Sequence, residues 1–123
     1  MSESFLMHMI ESVANDTTAT VVTAIAQAYT YKNITFSVTH KPCLAIILPR
    51  QLKDNGFGSY YGEGTCICIY YNGNSYGLYI SNNIFTVMES SYLPTWTITD
   101  TSVKCTIKSQ YSFGSDSLPM IYV

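Results

Sequence analysis

The stretch TCICIYYNGNSYGLYISNNIFTVME, residues 65–89, reads as three strands joined by two tight turns. Asn72-Gly73 is the pair that a two-residue type I′ turn favours, because both central positions need positive φ. A turn there sets Tyr71 opposite Asn74, Ile69 opposite Tyr76 and Ile67 opposite Leu78. Side chains alternate between the two faces of a strand, so Ile67, Ile69, Tyr76, Leu78 and Ile80 share one face. A second turn at Asn82-Asn83, chosen independently, sets Ile80 opposite Phe85 and Leu78 opposite Val87. The same apolar face continues through it, which defines an antiparallel meander.

The opposite face carries Cys66, Cys68, Tyr70, Ser75, Gly77 and Tyr79, and is neither plainly polar nor plainly apolar. It needs a cover, from N-terminal helices, a second layer of strands or another subunit. Tyrosine buries a large ring yet keeps a polar tip, which suits interfaces. Tyr70 and Tyr79 are therefore candidate interface residues. The expected arrangement is helices on one face and partial subunit contact on the other.

Outward from this meander the periodicity changes along the chain. Phe5, Leu6, Met9, Ile10 and Val13 recur at steps of three and four, a helical stripe, with Ser2 as N-cap and Glu3 in the first turn. His8 falls off that stripe and reads as a surface residue. Thr17–Tyr31 carries conflicting signals. Val21, Val22, Ile25 and Tyr29 fit a helix and four alanines favour one, whereas five threonines and two valines favour a strand. Helix is the reading adopted for this stretch.

After Asn33 the period is two, with Ile34, Phe36 and Val38 alternating with Thr35, Ser37 and Thr39. Leu44–Leu48, bracketed by Pro42 and Pro49, reads as a central strand, and Pro49–Asn55 as a single helical turn closed by Gly56. A hairpin at Asp100-Thr101 would pair Ile98 with Val103 and Trp96 with Cys105. In its second strand Val103, Cys105 and Ile107 alternate with Lys104, Thr106 and Lys108. The apolar tail Pro119–Val123 suits a closing strand or docking segment. The whole chain, residues 1–123, reads as one α+β domain: one or two N-terminal helices packed on an antiparallel sheet of about five to seven strands.

Composition bounds the function. The chain has 123 residues, 47% hydrophobic, enough to bury a core without a metal or disulfides. Only 11% are charged, against about 25% in typical domains. Weak mutual repulsion favours self-association. A net charge of −2 argues against general nucleic-acid binding, which needs several phosphate-neutralising cations. Asn15-Asp16-Thr17 and Asn33-Ile34-Thr35 match glycosylation sequons, but no targeting or membrane-spanning segment is evident. An intracellular protein with reduced thiols is the expectation.

Chemistry-bearing motifs are few. His40 with Cys43, and Cys66 with Cys68, are weak candidates for metal ligands. A Cys-x-Cys pair within a strand lacks the turn that lets backbone wrap an ion, so buried free thiols are the ordinary reading and no cofactor is expected. The eight acidic residues are scattered, and no nucleophile elbow, P-loop, dinucleotide fingerprint or HExxH occurs. One segment stands apart. Phe57–Gly64 interleaves Gly58, Gly62 and Gly64 with Phe57, Tyr60 and Tyr61, and Arg50 and Lys53 lie just upstream. Mobile backbone amides, stacking rings and two cations suit a small anion or nucleotide. Three functions follow: a non-enzymatic interaction or assembly protein, homo-oligomeric or with a protein partner; a small-anion binder using Arg50, Lys53, Phe57, Tyr60 and Tyr61; and, weakest, a metal- or thiol-dependent enzyme.

Overall fold

Leu6 and Ile10, four residues apart, are fully buried on one side of a helix, α1, that runs Glu3–Ala14. Burial of each such side chain is worth roughly 1.5–3 kcal/mol. Met7 and Met9 flank them half-buried, and His8 faces out. Phe5, assigned to the stripe by spacing, is instead 53% exposed. It is one residue, or about 100°, around the helix from Leu6 and falls beside the strip that the sheet covers. The computed structural model describes residues 3–14, 19–26, 32–49, 62–114 and 117–123.

Nine strands follow among the described residues: β1 Thr20–Ile25, β2 Asn33–Ser37, β3 Leu44–Ile47, β4 Cys66–Tyr71, β5 Asn74–Ser81, β6 Ile84–Val87, β7 Thr95–Ile98, β8 Ser102–Thr106 and β9 Ser117–Tyr122. They form a six-stranded sheet in the order β1-β9-β3-β4-β5-β6 and a three-stranded sheet in the order β2-β8-β7, antiparallel throughout. The fold is α+β. The strands outnumber the expected five to seven, and they divide between two sheets rather than forming one meander.

The register deduced for the central stretch is the observed one. Ile69 pairs with Tyr76, Ile67 with Leu78, Ile80 with Phe85 and Leu78 with Val87. Both turns have positive φ at both central residues: 47° and 87° at Asn72 and Gly73, 53° and 67° at Asn82 and Asn83. The Ile98–Val103 and Trp96–Cys105 pairings hold as well.

Three layers result. Leu44, Ile46, Leu48, Ile67, Ile69, Leu78 and Ile121 face α1 and pack with Leu6 and Ile10. The other face of the same sheet, with Ala45, Ile47, Cys66, Cys68, Leu118, Met120 and Tyr122, packs on Ile34, Phe36, Val103 and Cys105 of the three-stranded sheet. Strands buried on both faces read as continuous apolar runs, which is why Leu44–Ile47 is buried at every position.

Two expectations are corrected here. The residues Thr20–Ile25, read as helix, form β1, because the C-terminal strand offers them a ladder from Thr20↔Tyr122 to Ile25↔Ser117. Cooperative pairing outweighs the helix preference of a few alanines. The second face of the meander is covered by the chain's own three-stranded sheet, where partial subunit contact was expected. The helical turn proposed for Pro49–Asn55 and the N-cap at Ser2 lie outside the described residues.

The tail is a structural element in its own right. β9 lies between β1 and β3, with Leu118, Met120, Ile121 and Tyr122 almost wholly buried. Pro119 is tolerated there because its backbone faces the last rung against β3. Its carbonyl accepts the Leu48 N–H at 3.1 Å, and only the reciprocal bond is lost to the missing N–H. A chain cut after Phe113 is expected to lose its cooperative thermal transition by circular dichroism. Ile121→Ala in the full chain should lower stability by about 2–5 kcal/mol in urea titrations.

Candidate functional site

The residues that carry chemistry lie in three places: between the sheets, at one end of β3 and β9, and along the sheet edges. Between the sheets, Cys66 and Cys68 follow from strand alternation on β4 and meet Cys105 of β8. All three are buried and free. The Cys66 and Cys68 sulfurs are 3.8 Å apart, and the Cys66 thiol donates to the Ser112 carbonyl at 3.3 Å. The hydrogen bond with Cys68, then burial, push the Cys66 thiol well above the ordinary 9.0. For Cys68 burial comes first, followed by the hydrogen bond with Cys105. Thiols held protonated and away from water are neither nucleophiles nor ready metal ligands.

His40 and Cys43 sit elsewhere. Cys43 is exposed and its thiol donates to the Val123 carbonyl at 3.3 Å, while the His40 ring rests on Tyr122 with centroids 5.2 Å apart. The Asn72 N–H donates to the Cys43 carbonyl. That places Cys43 four residues along β4 from Cys68 and six from Cys66, about 13–20 Å at 3.3 Å per residue. The four weak candidates for metal ligands are therefore not brought together. Among the described residues no group of three or more His, Cys, Asp or Glu is placed to hold a metal ion.

Tyr70 and Tyr79 are half-buried and pack against the inter-sheet core. Tyr70 leans on Trp96 with centroids 5.9 Å apart, and Tyr79 on Tyr111 at 5.2 Å. Trp96 Nε1 donates to Ser75 Oγ at 3.1 Å, and that hydroxyl donates to the Pro94 carbonyl at 2.7 Å. Burial, ahead of the neighbouring Tyr79, raises the Tyr111 phenol from its ordinary 10.0. Among the described residues, the tyrosines that face solvent are Tyr71 and Tyr92.

Arg50, Lys53, Phe57, Tyr60 and Tyr61 lie outside the described residues. The described end of that segment carries a carboxylate, Glu63, whose Oε1 accepts the Asn82 N–H at 2.8 Å and so braces the second turn. An open cleft of about 210 Å³ lies between α1 and the β5–β6 hairpin, lined by Leu6, Ser75, Tyr76, Val87, Met88 and Leu93 among others. Its described lining carries no charged side chain. No described helix is long and apolar enough to cross a membrane.

Among the described residues, the exposed aliphatic side chains lie on the sheet edges. Ile25 on β1 is 74% exposed and Ile84 on β6 is 64% exposed, with Val21 on β1 at 46%. Sequence reading missed β1 as an edge because it assigned those residues to a helix. Val21, Val22, Thr23, Ala24 and Ile25 carry no apolar–polar alternation that would have marked a strand. No protein-family profile, curated protein or solved structure matches the chain.

The thiol environments make a direct test. In native protein one thiol of the four, Cys43, should react quickly with a thiol reagent, and Cys66, Cys68 and Cys105 only on unfolding. Below about pH 9 folded and unfolded chains both keep the Cys66 and Cys68 protons, and the stability these two thiols contribute is complete. Above it the unfolded chain releases protons that the folded chain retains, so stability should fall as pH rises. The urea midpoint should drop above pH 9, and less steeply in Cys68→Ala.

Proposed function

We propose that the protein is a non-enzymatic interaction or assembly protein that works as a homo-oligomer through its low-charge surface. The observation that carries this reading is the pair of exposed isoleucines, Ile25 and Ile84, on the two edge strands of the six-stranded sheet. Edge strands present unpaired backbone groups, and soluble proteins usually guard them with charge or proline. Here 11% charged residues leave little to keep copies apart. The buried, protonated state of Cys66 and Cys68 also removes the closest thiol pair from nucleophilic chemistry.

Sedimentation velocity on tag-free protein from about 1 to about 100 μM should show association that rises with concentration. Native mass spectrometry should find the oligomer at an integer multiple of the bare chain mass. A bare monomer across that range would sink the reading, and a stoichiometric small-molecule adduct would replace it with ligand binding.

A further inference from the structure

β1 is an edge strand of the six-stranded sheet. In an antiparallel strand a residue's N–H and C=O point to the same neighbour. Pro119 and Val123 of β9 face β3, since the Pro119 carbonyl takes the Leu48 N–H and the Val123 N–H goes to Leu44. Leu118, Met120 and Tyr122 therefore face β1 and bond Ala24, Val22 and Thr20, their register partners. It follows that the backbone groups of Val21, Thr23 and Ile25 point away from the sheet. No bond to them occurs among the described residues. β2 lies alongside from the other layer without a ladder bond to β1. The other edges are less suited to pairing: β7 is bracketed by Pro94 and Asp100, and β6 is only four residues long.

The sequence of this edge is self-complementary. About a two-fold axis through Thr23, an antiparallel second copy puts Thr23 opposite Thr23, and Val21 opposite Ile25 at both ends. The exposed aliphatic side chains of the two copies then meet on one face, with the small polar residue on the axis. From Thr17 to Tyr31 there is no charged residue, so the pairing opposes no like charges. An isologous contact of this kind also closes, as a cyclic dimer requires.

We propose that β1 pairs with β1 of a second copy, antiparallel about Thr23, joining two six-stranded sheets into one continuous sheet. This rests on the assembly reading above and names its surface and partner. Two variants test it by sedimentation and two by cross-linking. Thr23→Pro removes an N–H that makes no ladder bond within the protomer, and Ile25→Lys places a charge opposite Val21 of the other copy. Each should raise the dimer dissociation constant by at least about tenfold while circular dichroism and melting temperature hold. In a Cys43→Ser background, Thr23→Cys should bridge two copies through a short bis-maleimide, since hydrogen-bonded pairs sit about 5.5 Å apart at Cα. Ile84→Cys in the same background should not. Oligomers that survive both substitutions and leave Thr23→Cys unbridged would overturn this edge pairing and leave the assembly reading standing. A monomeric wild type would overturn both. Should Thr23→Pro fail to fold, Ile25→Lys, at an exposed side chain, decides.

Discussion

The ladder that β9 makes with β1 on one side and β3 on the other joins the two ends of the chain. β9 carries alternating side chains into two different cores: Ile121 toward α1, and Leu118, Met120 and Tyr122 toward the three-stranded sheet. The Tyr122 hydroxyl accepts the Thr39 N–H and bonds its side chain, both at 3.2 Å, so the large ring is buried without stranding a polar group. Without this strand β1 would have no partner in its sheet and both cores would open along one side. The rest of the architecture is built around burying a sheet on both faces.

That constraint explains the distribution of chemistry. Among the described residues, a six-stranded sheet covered twice takes up most of the apolar and aromatic side chains, including Tyr70, Tyr79 and Tyr111. It also places Cys66, Cys68 and Cys105 where water does not reach. Among the described residues, what remains outside is mostly polar, with large apolar or aromatic exceptions at Phe5, Tyr71 and Tyr92 and at the sheet edges where the layers end. In a chain so poor in charge, those edges are the places that differ most from ordinary soluble surface. The proposed role follows from where burial stops.

Gly77 shows how closely the inter-sheet layer is filled. A Cβ built there would come within 2.5 Å of Met88 Sδ, a side chain itself buried against the core. The missing side chain is thus the seat for Met88. Similar accommodation is visible where Thr106 Oγ1 donates to Asn33 Oδ1 at 2.7 Å across the β2–β8 pair. Among the described residues, no buried side-chain polar atom lacks a partner.

Local chemistry made the middle of the chain legible before any coordinates. Asn72-Gly73 and Asn82-Asn83 can adopt positive φ cheaply, and once the turns are placed a period of two sets every side chain's face. The same logic carried β2 and the β7–β8 hairpin. It failed at Thr20–Ile25, where helix and strand preferences nearly cancel and the outcome depends on a partner about a hundred residues away in sequence. It also could not tell what covers Tyr70 and Tyr79, because strand alternation assigns a face but not the layer that packs on it. The edge at Val21, Thr23 and Ile25 was hidden for the same reason. Whether a strand is central or terminal depends on long-range pairing order, and no local signal encodes that order.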